Sequence, residues 1–429
     1  MSTPFTGALA KALRGGTGTT GRRRLSYPAV LLIIAGGILL LSALRALTGA
    51  NDLTSSGQFG SALAAAVPIG LAGLGGLWAE RSGVVNIGLE GMMMLGTFCA
   101  GWIGWQHGPW AAALAGLIGG ALGGLVHAVA TVTFGADHII SGVAMNILAL
   151  GTTQYLAKLW FGAEGSAAQK AGGNDKQSPV MENMPDFSVP GVGGWLGSVE
   201  KHHWFLVSDL AGMLRGLVTN VSYLTIVAAL LFVVTFFVLW RSPFGLRLRS
   251  CGESPVAAES LGVNVYTYKY AAVIVSGALA GLGGAFLAIG THMYSDGQTG
   301  GRGYIGLATM ISGNWRPGGV AMSAGLFGFM DSLQLRSGGP TVHALLLLVA
   351  LLLIGFALWR LRGGRRTAAL TGGAIAAVLI VWYGLTDAVP REFVDATPYV
   401  ATLLVLSVSA QRLRMPKANG KPYRKGQAK

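Results

Sequence analysis

Glu80, Arg81, Asn86 and Glu90 stand close together in the run LWAERSGVVNIGLEGMMMLG (residues 77–96), between two apolar stretches. A charge carried to the centre of a bilayer costs roughly 2.5–3.5 kcal/mol on insertion scales, so groups kept at such depth face protein or water. Glu80 and Arg81, at a helix junction, read as an interfacial ion pair. Asn86 and Glu90 are four residues apart and share one face of a helix. They bond each other, line a cavity, or bond a neighbouring helix. Asn146 and Gln154, in the apolar run 139–161, offer the same choice between polar glue and substrate path. Asn86, Glu90, Asn146 and Gln154 are therefore the candidate path residues. Asp331 and Gln334 close the run 320–333 and read as interfacial.

A second constellation lies in RSPFGLRLRSCGESPVAAESLGVNVYTYK (241–269). Ser254 is suited to cap a helix, Pro255 to its first position, and Gly262 to its end. The segment predicts a short helix of about two turns, too polar to enter lipid, which a soluble partner could grip as a lever. Other chemistries find no support. The seven histidines show no zinc-ligand spacing, and adjacent His202 and His203 face two ways, so no metal site is expected. There is no G-x-S-x-G elbow and no G-x-x-x-x-G-K-[ST] loop. The chain is therefore expected not to be an enzyme; any ATP is hydrolysed by another polypeptide. Cys99 and Cys251 read as unpaired thiols.

The elements that must position these groups are membrane helices. Of 429 residues 52% are hydrophobic and only 11% charged, and mean hydropathy is +0.56. The apolar segments are continuous, not alternating, which excludes a β-barrel. The fold class is all-α: a polytopic transmembrane helical bundle of about 10–12 segments, with a discontinuous or re-entrant region near 303–334. There, a short run meets the breaker GNWRPGG before a second run begins. Residues 1–28 form a basic N-terminal segment, 29–411 the transmembrane domain, and 412–429 a basic tail. A net charge of +14 would suggest nucleic acid in a soluble protein. Here most Lys and Arg fall in short inter-span segments that the positive-inside rule places in the cytoplasm, with both termini and the 241–268 loop. The polar segment 162–220 then lies outside, as a small cap, a docking surface or a flexible tether. The hexamer LAGLGG occurs at 71–76 and 279–284, either as an internal repeat of the kind transporters carry or by chance in a chain rich in Gly, Ala and Leu. Gly116, Gly120 and Gly124, with Gly119 and Gly123, form a small-residue face for close packing.

Five ordered blocks carry a family resemblance: LWAERSGVVNIGLEGMMMLG, ADHIISGVAMNILALG, GESPVAAESLGVNV, GGRGYIGLATMISGNWRPGG, and the terminal TPYVATLL with GKPYRKG. Together they resemble a bacterial ABC-importer permease of the nucleoside and simple-sugar (ribose, branched-chain amino acid) superfamily, over roughly 60–411 and the tail. The resemblance implies one half of a heterodimeric translocation pathway in the cell membrane. Its implied partners are a second homologous permease, a cytoplasmic ABC ATPase that uses ATP and Mg, a BMP-type substrate-binding lipoprotein and membrane lipid. Nucleic acid is not among them. It implies that Gly252, Glu253, Ala257, Ala258 and Gly262 belong to the segment that docks on the ATPase. Nucleosides are the implied cargo, with a simple sugar as alternative; a stand-alone secondary transporter or channel is the alternative of another class. His138, in place of an acidic residue, and the long 162–220 insertion depart from the family pattern.

Overall fold

The computed structural model describes residues 27–336, 338–409 and 413–426; nearly all of the basic N-terminal segment 1–28 lies outside them. In chain order the helices are α1 (Tyr27–Thr48), α2 (Ser56–Arg81), α3 (Leu89–His107), α4 (Pro109–Ala128), α5 (His138–Trp160), α6 (Ala167–Lys170), α7 (Val192–Glu200), α8 (Val207–Val218) and α9 (Tyr223–Arg241). There follow α10 (Pro243–Glu253), α11 (Pro255–Ser260), α12 (Val265–Gly290), α13 (Arg302–Ser312), α14 (Pro317–Arg336), α15 (Gly338–Arg362), α16 (Arg366–Leu385) and α17 (Arg391–Ser409). Two two-residue strands, β1 (Asp186–Phe187) and β2 (Val221–Ser222), pair antiparallel with Asp186 opposite Ser222. Among the described residues seven helices are long and apolar enough to cross a membrane: α2, α4 with its π-helical extension to Thr133, α5, α9, α12, α15 and α16. Helices α3, α14 and α17 are of similar length but fall outside that set. The all-α polytopic expectation holds, and 303–334 resolves into the short α13 and the full-length α14.

The chain divides into two compact units. The smaller comprises residues 27–59, 189–218 and 338–394. There Leu44, Leu53 and Ala344 pack together, and the His343 ring stacks on Tyr383 at 4.4 Å. The larger comprises 60–188, 219–336 and 395–426, and holds the candidate site. The insertion 162–220 is thus shared between the units and carries α6, α7, α8 and β1. It is built structure and not a bare tether.

Glycine sets the spacing in the larger unit. A Cβ at Gly116 would come within 2.5 Å of the Ala285 methyl, and one at Gly124 within 2.6 Å of the Val273 carbonyl; one at Gly120 would overlap the Gly277 carbonyl. The neighbouring row, Gly119 and Gly123, meets Cys99 and Leu95. One row therefore seats α4 on α12 and the other seats it on α3. Close approach of this kind supplies the packing that the hydrophobic effect cannot drive within lipid. Each LAGLGG copy packs on the helix just ahead of the other copy: Gly75 of α2 lies against the Ser276 carbonyl, and Gly283 of α12 against the Pro68 carbonyl. Each contact is the other with the repeat shifted, so α2 and α12 cross antiparallel with a local two-fold relation. The sequence repeat is a symmetric helix contact.

Candidate functional site

Helix α2 ends in a turn that α3 does not immediately continue. Ser82 Oγ and Val84 N both donate to the Ala79 carbonyl, and Gly83 takes φ +89. The backbone then runs irregularly from Ser82 to Gly88. This loop is deep: Asn86 Nδ2 donates to Ser276 Oγ at 2.9 Å. Ser276 lies about 16 Å along α12 from its first residue at 1.5 Å per residue, roughly half a hydrocarbon core. Irregular backbone at such depth must be satisfied by protein. His138 Nδ1 accepts from Val85 N at 3.2 Å, and His127 Nε2 lies 3.0 Å from the Val85 carbonyl. Asn86 Oδ1 accepts from Gly88 N at 3.1 Å. Asn146 donates to the Ile87 carbonyl at 3.1 Å and to the Tyr304 hydroxyl at 3.0 Å, and accepts from Gly91 N at 2.8 Å.

Glu90, in the first turn of α3, reaches a different helix. Its carboxylate accepts from Gly301 N at 3.0 Å and Gly303 N at 2.7 Å. Both amides belong to the N-terminus of α13, where unsatisfied donors and the helix dipole favour an anion. Gly303 has no room for a side chain: a Cβ would stand 2.6 Å from Glu90 Cα. At the other end of α13, Glu80 accepts from Trp315 Nε1 at 2.6 Å and Asn419 Nδ2 at 2.8 Å. Arg81 Nε donates to the Trp315 carbonyl at 3.0 Å. Asn314 and Trp315 have φ +54 and +53, a conformation that costs non-glycine residues on the order of 1–3 kcal/mol each. The two glutamates of ERSGVVNIGLE thus clasp α13 at both ends. A further staple joins α13 to α14, from Arg302 Nη2 to Asp331 Oδ2 at 2.8 Å.

The third part is a handle of α10 and α11. Ser242 Oγ caps α10 through Gly245 N at 3.1 Å, with Pro243 at its first position. Helix α11 follows after Ser254, whose side chain makes no cap bond. Gly252 is buried, and any Cβ there would overlap the Arg81 carbonyl. Ala258 packs with Cys251, Val265 and Tyr423. Burial pushes the Cys251 thiol up to about 11, so it stays protonated and inert. The C-terminal tail straps this assembly: Ala418 N donates to the Gly252 carbonyl at 2.9 Å, and Gly420 N to the Gly83 carbonyl at 3.2 Å. Arg414 N donates to Asn314 Oδ1 at 2.8 Å, and Gly426 N to Glu259 at 3.3 Å. Burial and the adjacent Glu259 carboxylate, to which it is hydrogen-bonded, push the Tyr423 phenol up.

Residues 58–358 match the family described as branched-chain amino acid transport system / permease component. The chain belongs to this permease family. The permease is 34% identical over 369 residues to the guanosine ABC transporter permease protein NupQ of Bacillus subtilis, covering 84% of this chain and 94% of that protein. It is 31% identical over 365 residues to the nucleoside ABC transporter permease protein NupC of Lactococcus lactis subsp. cremoris, covering 83% and 93%. It is 33% identical over 285 residues to the putative glucose ABC transporter permease protein TsgC13 of Haloferax volcanii, covering 66% and 78%. No solved structure matches the permease.

Of the candidate path residues, the structure brings together Asn86, Glu90 and Asn146, all buried and bonded within the permease. Gln154 stands apart, exposed, donating to Asp296 Oδ2 at 3.0 Å. Beside Asp296 is a small recess lined by Met94, Thr97, Thr153, Tyr294 and Thr299. Within the handle, Gly252 and Ala258 face inward, whereas Glu253, Ala257 and Gly262 are exposed. Glu80 and Arg81 bond Trp315 and not each other, and Asp331 is a buried partner of Arg302. Sequence reasoning passed over Leu261, which is 84% exposed at the handle's tip, and Asn419, Tyr423 and Trp315. The signal for Leu261 was a lone large apolar residue in a polar segment.

Proposed function

We propose that this permease is the membrane-spanning subunit of an ATP-driven ABC importer for nucleosides, one half of a pathway completed by a second homologous permease. The observation that carries this reading is similarity along nearly the whole length of a guanosine permease. The handle faces the cytoplasm with both termini, and its exposed face of Glu253, Ala257, Leu261 and Gly262 meets a separate ATPase that binds ATP and Mg. A BMP-type lipoprotein delivers substrate from the other side. The inward face, Gly252 and Ala258, passes displacement to the end of α2 and to Trp315, hence to α13. In this scheme Asn86, Glu90 and Asn146 set the position of the path wall, and exposed Gln154 with Asp296 offers polar groups to the substrate. Catalysis belongs to the ATPase; this chain holds and moves helices.

Similarity to the putative glucose permease of Haloferax volcanii favours a second reading, a simple-sugar permease. Uptake of labelled guanosine into vesicles bearing the assembled complex, with unlabelled uridine, ribose and glucose as competitors, separates the two. Competition by nucleosides alone is expected. Absence of guanosine uptake, with ATP-dependent uptake of labelled ribose or glucose by the same vesicles, establishes the sugar reading. Ion-driven uptake by this chain alone overturns both.

A further inference from the structure

Helices α7 and α8 form a hairpin that buries charged and polar side chains beside Ala211 and Met213 and leaves a row of large apolar ones exposed. Val207, Leu210, Leu214 and Leu217 recur at helical spacing along α8, and all are exposed, Leu214 to 51%. The opposite face carries Ser208 and Asp209, which are buried, Asp209 to 1%. Asp209 pairs with Arg45 Nε at 3.0 Å and accepts from Thr54 Oγ1 at 2.5 Å and Leu206 N at 3.1 Å. Glu200, at the end of α7, accepts from Ser56 N at 2.8 Å and Arg215 Nη1 at 2.9 Å. The hairpin therefore fastens its polar side to the end of α1 and the start of α2, and turns its apolar side outward.

Water is a poor solvent for that side, since each exposed Leu or Val forgoes part of the stabilisation that burial brings. A soluble partner that docks and leaves would return the stripe to water on every cycle. Lipid covers it continuously. The hairpin is tied through Arg45 to α1, an apolar helix whose Leu39, Leu40 and Leu47 are also exposed, so both elements turn large apolar side chains outward. Its flanks carry exposed Trp195, Trp204 and Phe205 beside exposed Lys201, His202 and His203. Aromatic and basic residues of that kind collect at membrane interfaces.

We propose that the α7–α8 hairpin lies in the membrane interface, with the Val207–Leu210–Leu214–Leu217 stripe inserted among lipid headgroups and upper acyl chains. In the full chain reconstituted in vesicles, with Cys99→Ala and Cys251→Ser, single cysteines replace Val207, Leu210, Leu214, Leu217, Trp195 and, as a reference, Lys201. Each is spin-labelled, and collision with oxygen is compared with collision with a water-soluble nickel chelate. The four stripe labels are expected to favour oxygen, at a depth of ~5–10 Å below the surface, while the Lys201 label favours the chelate. Substitution at several exposed positions keeps the test decisive if one variant fails to insert, and Trp195 supplies an independent depth. Chelate access at all stripe positions overturns the proposal. So does chelate exclusion seen only after the substrate-binding lipoprotein is added, which would assign the face to that protein.

Discussion

Glu90→Gln separates two roles that a buried carboxylate can play. Glu90 accepts two amide hydrogens from the N-terminus of α13, at 3.0 and 2.7 Å. A glutamine keeps one acceptor oxygen and turns its amide donor toward the other N–H. Hydrogen bonds to a charged group contribute about 1.5–3 kcal/mol each, and an orphaned buried donor costs a similar amount. Double-mutant cycles in membrane helices return less, about 0.6 kcal/mol on average and up to ~1.7. Between these bounds, Glu90→Gln should destabilise the permease by about 1–3 kcal/mol and Glu90→Ala by about 2–4 kcal/mol. Gly303→Ala presses a methyl onto Glu90 and breaks the same clasp from the other side. Unfolding free energies in bicelles for the two single variants and the double give the coupling. The double is expected to be less destabilised than the sum by about 1 kcal/mol or more. Stability of Glu90→Gln unchanged while guanosine uptake collapses would refute the clasp and make Glu90 a group that touches substrate.

Three further outcomes follow from other parts of the structure. Gly252→Ala drives a methyl into the Arg81 carbonyl, costing about 1–3 kcal/mol of overpacking; ATP hydrolysed per nucleoside imported should rise, and an unchanged ratio counts against the handle. Leu261→Asp should leave the folding of the permease unchanged but weaken ATPase capture by roughly 10-fold or more, from the lost burial of one leucine; equal co-purification with the ATPase argues that the tip is free. Burial would raise the Glu200 carboxyl, but the Ser56 amide and Arg215 outweigh it and hold it below its ordinary value of 4.5. Its contribution is therefore present above pH 4.5 and lost as pH falls through the lower folded value. Hydrogen exchange at α7 should quicken below pH 4.5, and Glu200→Gln should abolish that acid step; an undiminished step places the titration elsewhere.

Fold class was legible because apolar length and charge sparsity bear directly on membrane spanning. The LAGLGG copies and the glycine rows were legible as patterns, though not which helices they join: a stripe declares close approach without naming its neighbour. The apolar run opens at Val84, but α3 starts only at Leu89. Val84, Val85 and Ile87 are apolar enough for a helix, and only the distant side chains of His138 and Asn146 make the extended loop affordable. Pairings across the chain were the least legible. Glu80 and Arg81 are sequence neighbours, but Trp315 and Asn419, more than two hundred residues away, outcompete that local pair. The polarity of the α7–α8 hairpin was equally hidden, since periodicity finds an apolar face but does not say whether it turns in or out.

Helix α13 shows why the polar motif is where it is. With 11 residues it is about 16 Å long, half of what a bilayer crossing requires. A helix that short exposes both sets of unpaired backbone groups, and one set must lie at depth. Lipid cannot satisfy them, and a neighbouring apolar helix offers no partners. Glu90 meets the deep end, and Glu80 and Arg81 hold the turn at the shallow end through Trp315. Since both grips come from one segment, a shift at the end of α2 bears on both ends of α13 together. The same α2 end touches Gly252 of the handle and, through Asn419, the tail. The charges that open the motif are thus explained by geometry: each is placed where a half-length helix leaves a polar end, and the surface that would be pushed from outside the membrane is one buried glycine away.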